Sequence, residues 1–443
     1  MEERLRSFVE AATRARVERA ARIGSGASRA TWLVATSDGA ERVLRADTGD
    51  GPLAGTALSL ARESAVYAAL AGLAVPIPRL LAVAPGGDAL LLERAPGSES
   101  LAGADAARVM DAYVDALATL HGVDARRLEL PGFARPEPGD PARAELALWR
   151  GVLELRVKRP APLARFAFAW LERHAPRHAD RISLCHGDVG PGNVLHQHGA
   201  VTALLDWEFA HLGDPLDDLA WLAFRGHHLN DEIGDLAAQL RRWSRATGLA
   251  AAPERIAWYR ALVMLRMLVS CLAALDSGAT SLDRTIYFSL TALLGALLPR
   301  ALAELAGVPL EPTPAPPASE PPADESEVIA SVLADFTGTV LPALSAAAQV
   351  RARGLALLLL HVQAAERAGP AVREAERAAL AHALGRAFAD PGEARRTLAE
   401  RVSEAPPDEE VRWIRFFAEA GSRRLRLWPF LAPLAAKPLA KLA

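Results

Sequence analysis

HGDVGPGNVLHQHGAVTALLDWE, residues 186–208, sets Asp188, Asn193 and Asp206 at uneven intervals among glycines and apolar residues. The glycines and Pro191 between Asp188 and Asn193 allow a tight loop that folds the asparagine back toward the aspartate. NVLHQ and VTALLDW read as two short strands joined by a hairpin, which returns Asp206 at the end of the second. Two strands and one loop thus converge three oxygen-bearing side chains. A divalent ion held beside a nucleotide wants a few hard oxygen donors, because magnesium keeps waters and borrows phosphate oxygens for the rest of its shell. An asparagine amide oxygen and one carboxylate suffice. Phosphoryl transfer also needs a carboxylate near the acceptor hydroxyl, to orient it and take its proton. Asp188 is the candidate.

The spacing H-x-D-x-x-x-x-N matches the catalytic loop of protein kinases. HGDxxxxN followed by a strand ending in DWE resembles the aminoglycoside phosphotransferase and choline kinase-like superfamily, and AHLGDPLDDLAWL, residues 210–222, extends the match. The resemblance covers about residues 20–300. It implies an α+β, bilobal protein-kinase-like fold with a small mixed-sheet N-lobe and a helical C-lobe, using ATP and Mg2+. It also implies Asp188 as the catalytic base, Asn193 and Asp206 as the metal ligands, and Asp214 and Asp218 as structural braces.

A nucleotide-binding lobe needs a Gly-rich hairpin over the phosphates, a cation on the next strand, a partnering acid on a helix and a hinge. An N-terminal helix precedes RIGSGASRATWLVATSDGAERVLRAD, which reads as strand, Asp38-Gly39 turn, strand. Gly24, Ser25 and Gly26 are the candidate phosphate hairpin, although GSG alone is a weak signal. TALSLARESAVYAALAGL has helical spacing and carries the candidate acid Glu63. The hinge falls after ALLLERAPG, where Glu93, Arg94 and Ala95 offer backbone groups to adenine. No lysine precedes Lys158, so Arg45 stands where the phosphate-binding lysine belongs. Its permanently charged fork can pair Glu63 and a phosphate, with a reach unlike that of an ammonium. An arginine in a VLR segment here resembles the acyl-CoA-dehydrogenase-associated branch of the superfamily. A lost lysine also fits a pseudokinase, against which stand the intact Asp188, Asn193 and Asp206.

The organisation predicted is an N-lobe over residues 1–96, a C-lobe over 97–307, a Pro/Ala-rich linker over 308–325 and an all-α bundle over 326–443 broken at Gly369-Pro370, Pro391-Gly392 and Pro406-Pro407. The bundle resembles a small helical domain of unknown function and leaves a protein partner open. The basic, apolar tail from Arg423 is expected to dock on that bundle.

A formal net charge of -3 and a pI near 6.4 give no electrostatic reason to expect nucleic acid. Cys185 and Cys271 are too few for a disulfide framework, which fits a reducing interior and a cytoplasmic location. WYRALVMLRMLVSCLAALDSG is apolar enough to span a membrane, but Arg260 and Arg266 interrupt it, so a core helix is expected. His196, His198, His227 and His228 lack a third ligand at a metal-site spacing. His121 is expected to pack at its helix end, and His186 to orient the loop. The acceptor expected is the hydroxyl of a small molecule: Arg225, Arg241 and Arg242 are compatible with an anionic one, and the branch resembled implies hydroxyacyl-CoA-like molecules. The alternative is a non-catalytic nucleotide sensor signalling through the C-terminal helices.

Overall fold

The computed structural model describes residues 1–23, 29–101, 105–229, 234–277, 284–313 and 324–442. In chain order the elements are α1 (Glu3–Thr13), β1 (Val17–Ile23), β2 (Arg29–Thr36), β3 (Glu41–Asp47), α2 (Leu60–Leu70), β4 (Leu80–Val83), β5 (Ala89–Glu93), α3 (Ala106–Gly122), α4 (Pro141–Arg156) and α5 (Pro162–Arg173). There follow β6 (Ser183–Cys185), β7 (Val194–Gln197), β8 (Ala200–Leu204), β9 (His211–Gly213), α6 (Leu216–Trp221), α7 (Leu236–Thr247), α8 (Pro253–Asp276) and α9 (Arg284–Ala306). The last are α10 (Asp324–Asp335), α11 (Leu341–Ala343), α12 (Ala346–Leu384), α13 (Pro391–Ser403), α14 (Glu410–Leu425) and α15 (Ala432–Ala436).

The chain packs as two compact units: Met1–Arg156 with Ala175–Val263 and Leu439–Ala443, and Val157–His174 with Met264–Pro438. These do not coincide with a partition at residues 308–325. The helices α5 and α9 and the second half of α8, expected in the C-lobe, group with the C-terminal helices, because their apolar faces find partners there. Phe166 of α5 lies with its ring 5.4 Å from that of Phe417 on α14. α9 and α14 cross where Gly295 and Gly421 meet, so closely that a Cβ on Gly421 would run into the Gly295 carbonyl. Most of the expected linker, residues 314–323, lies outside the described residues.

In the first unit, five antiparallel strands run in the order β1-β2-β3-β5-β4. Strand alternation decides what each face does. Leu44 and Ala46 of β3 point into a cluster with Val34, Leu91 and the Leu5 and Val9 face of α1. Arg45, between them, projects to the opposite face, paired in register with Thr31 and Leu90. β1 was expected to be helix. Its VERAARI has few β-branched residues, and its edge position explains why pairing with β2 alone suffices.

β6 pairs with β9, and β7 with β8 across a His198-Gly199 turn in which both residues have positive φ, 53° and 80°, the type I′ geometry that favours glycine at the second position. In the second unit, α12 is continuous over 39 residues through Pro370, where a break was expected. The alanine-, glutamate- and arginine-rich turns on both sides keep the helix going despite one missing donor.

Among the described residues, Pro253–Asp276 and Arg284–Ala306 are long and apolar enough to cross a membrane. In the first, 83% of the most apolar window is buried within the protein. Its Arg260 is sequestered, with Nη1 donating to the carbonyl of Ala440 at 2.7 Å. The final residues, expected on the C-terminal bundle, therefore pack in the first unit.

Candidate active site

The loop between β6 and β7 presents Asp188 and Asn193. Asn193 Nδ2 donates to Asp188 Oδ2 at 2.7 Å and to the Asp188 carbonyl at 2.9 Å, so the two side chains form one fixed pair. The same loop is tied to the end of β8 on both sides of Asp206. Leu205 N donates to the Asn193 carbonyl at 2.9 Å, and His186 Nε2 donates to the Leu205 carbonyl at 2.8 Å. The His186 ring also lies 4.6 Å from that of Trp207. Burial lowers the His186 pKa, which keeps the ring neutral and leaves it an orienting group.

Beneath the loop sits Asp218. One oxygen accepts from Gly187 N at 2.8 Å; the other accepts from His186 N at 2.8 Å and from His121 Nε2 at 2.9 Å. Trp243 Nε1 completes the chain by donating to His121 Nδ1 at 2.9 Å. Burial alone would raise the Asp218 pKa; the His121 hydrogen bond, His186 and the Gly187 amide outweigh it and hold the carboxyl at about 2. Gly187 has φ of 80°, and a Cβ there would strike the Phe209 carbonyl. Only glycine fits.

His121, Cys185 and Asp218 lie close enough to suggest a metal, as do Glu145, His211 and Asp217. In the first group both nitrogens of His121 are already engaged. Burial, reinforced by Asp218, raises the Cys185 thiol well above its ordinary value, so it is a protonated core residue.

Asp206 adopts a left-handed backbone, φ 65°, an uncommon choice for a non-glycine residue and one that aims its side chain off the strand. Its Oδ1 accepts from Arg45 Nη2 at 2.9 Å. Arg45 Nε also stands 3.3 Å from Glu63 Oε1. The expected trio of Arg45, Glu63 and Asp206 is therefore one cluster, with β3, α2 and the end of β8 supplying one member each. Ser59 fixes the start of α2 by accepting from Arg62 N at 3.3 Å, which sets Glu63 in the first turn. Arg29, 3.9 Å from Glu63 and 2.6 Å from Asp47, brings a second cation. Burial raises the Glu63 pKa, offset in part by Arg45; in Asp206 Arg45 outweighs burial and the pKa falls. Burial and the neighbouring Asp206 push Glu208 up to about 8.

Gly24, Ser25 and Gly26 lie outside the described residues, between β1 and β2. At the expected hinge, the side chains of Glu93 and Arg94 are exposed and occupied with Arg79 and Glu41. Glu93 N donates to the Arg79 carbonyl within the sheet, so that amide is not available to adenine. The chain beyond is pinned to the β7-β8 hairpin: Thr202 Oγ1 donates to the Pro96 carbonyl at 2.6 Å, and Ser98 and His196 exchange backbone hydrogen bonds at 3.0 Å.

Arg225 is the functional residue whose place the sequence did not reveal. Its Nη1 lies 3.0 Å from Asp188 Oδ1 and 2.9 Å from the Asp188 carbonyl. It sits on a wide-turn helix over Leu222–His228, whose geometry no apolar periodicity announces. The only local signal is Gly190, where a Cβ would crowd the Arg225 stem.

Residues 19–259 match the family model described as the phosphotransferase enzyme family. The chain belongs to that family. The chain is 29% identical over 210 residues to acyl-CoA dehydrogenase family member 10 of Mus musculus, an alignment covering 44% of this chain and 19% of that protein. It spans between 14% and 30% of the length of the family member 10 and 11 proteins it matches. LicA solved in complex with AMP has a TM-score of 0.52 at 18% identity over 69% of this chain and 99% of its own. A thermostable mutant of aminoglycoside phosphotransferase APH(4)-Ia, apo form, has a TM-score of 0.50 at 18% identity over 68% and 100%. These likenesses show the kinase-like fold.

Proposed function

We propose that this phosphotransferase moves the γ-phosphoryl group of ATP, with Mg2+, to a hydroxyl of an anionic small molecule. The observation that carries the reading is the joining of two clusters through Leu205: the Asp188–Asn193 pair and the Asp206–Arg45–Glu63 centre. The donor set suits magnesium. Asn193 has committed its amide nitrogen to Asp188, leaving its oxygen, and Asp206 has committed only Oδ1 to Arg45. Asn193 and Asp206 would hold the ion, which supplies charge neutralisation on the phosphates.

Asp188 orients the acceptor hydroxyl and receives its proton as the new P–O bond forms. Arg225 keeps that carboxylate aimed and adds positive charge where an acceptor's own anionic group would lie. Arg45 engages the phosphates, balanced by Glu63. A hydroxyacyl-CoA-like acceptor is compatible with this charge and with the acyl-CoA dehydrogenase family likeness.

The replacement of lysine by Arg45 also favours a nucleotide sensor without catalysis. One comparison separates the two: magnesium-dependent ATP consumption with a panel of hydroxylated anionic metabolites, for wild type and Asp188→Asn. Phosphorylated product from wild type, reduced by about 10²–10⁴-fold in the variant with ATP affinity retained, is expected. ATP binding with no acceptor ever phosphorylated would establish the sensor.

A further inference from the structure

The second unit holds a half-open cavity of about 750 Å³ that the proposed phosphoryl transfer does not use. Its size is that of a ligand site for a molecule with a long apolar body. The walls are divided. Leu268 and Leu272 on α8, Phe417 on α14 and Trp428 beyond it supply apolar surface. Trp428 is held in place by stacking on His361, ring centres 3.8 Å apart.

The other wall is cationic. Lys158, Arg159, Arg395, Arg423 and Arg424 line it against two carboxylates, Asp276 and Glu376. Asp276 is taken by Arg159 at 2.6 Å, and Glu376 is shared between Arg395 at 3.3 Å and Arg424. Arg423 has neither: its one acid, Glu419, lies 3.3 Å from Nη1 and is itself half exposed. Five cationic side chains against two carboxylates leave the lining with an excess of positive charge, and an anionic group offsets it.

We propose that this cavity binds a long-chain carboxylate, its chain against Leu268, Leu272 and Phe417 and its head group on Arg423 and Arg395. An apolar cavity alone would accept any oily molecule; the excess of lining cations makes the head group an anion, and the guanidinium fork matches a carboxylate's two oxygens.

The test is calorimetric titration of the whole chain with palmitate, 1-hexadecanol and octanoate. Palmitate should saturate a single site, with hexadecanol and octanoate each weaker by at least about tenfold, the first for want of charge and the second for want of apolar surface. Arg423→Met should weaken palmitate by at least about tenfold while leaving hexadecanol unchanged. Leu272→Trp, which fills the cavity, should weaken both. If Leu272→Trp fails to fold, Arg423→Met decides the matter. Equal binding of palmitate and hexadecanol, palmitate binding indifferent to Arg423→Met, or no saturable binding would each overturn the proposal. None of these measurements depends on phosphoryl transfer, so the proposed reaction stands or falls separately.

Discussion

Two carboxylates organise the candidate active site, and their surroundings treat them in opposite ways. Asp218 and Glu63 are both buried, at 0% and 1% exposure. Asp218 spends both oxygens on three donors, two of them backbone amides of the catalytic loop. Among the described residues both Glu63 oxygens are buried without a hydrogen bond, and the cations facing them are Arg45 and Arg29. A saturated buried anion locks the backbone that donates to it. The Arg45–Glu63 contact has no directional hydrogen bond and costs little to rearrange, so Arg45, held by one hydrogen bond to Asp206, can turn toward incoming phosphates. The loop is scaffold, and the Arg45 centre is poised to exchange partners.

The sharpest way to break this contrast is Gly187→Ala. A methyl group directed at the Phe209 carbonyl, on a backbone with φ of 80°, must displace the loop amides from Asp218. Phosphoryl transfer is expected to fall by about 10²-fold or more, with a lower melting temperature, because small misplacements of reacting groups are costly. A fully active alanine variant would mean that the loop is not locked.

Asp218→Asn tests the same brace through stability. The carboxyl is held at about 2 against an ordinary value of 3.8, so the native state favours the ionised form. That contribution, about 2 kcal/mol, is present in full above pH 4 and is lost as pH falls through 2. Thermal melts should show the variant less stable at pH 7, with the gap to wild type closing under acid. A gap that does not vary with pH would point to packing instead.

Glu63→Gln sharpens the other side. Because burial already raises the Glu63 pKa, removing its charge also removes a desolvation cost. The expected stability change is within about 1 kcal/mol, while ATP affinity drops by about tenfold as Arg45 loses its counter-charge. A large loss of stability with ATP affinity intact would make Glu63 a scaffold residue like Asp218.

How far the sequence was legible follows from the range of each interaction. Asp188 and Asn193 are five residues apart, and the hairpin that returns Asp206 is local, so loop and strand rules bring them together. Arg45 and Glu63 were paired because a nucleotide-binding lobe needs a cation on the strand after its hairpin and a partnering acid on the helix that follows. β1 was missed because an edge strand needs little intrinsic propensity. The break expected at Pro370 was overruled by flanking helix-forming turns.

What the sequence by itself determined was the candidate catalytic loop, the cluster on β3 and α2, and membership of the phosphotransferase enzyme family, since these rest on short spacings. Tertiary structure alone decided that His121 and Trp243 reach Asp218, that Arg225 reaches Asp188, and that α5 and α9 join the C-terminal helices around a charged and apolar cavity. Those contacts join residues from 37 to more than 200 positions apart. No local spacing rule links such partners; only packing the apolar faces brings them within reach.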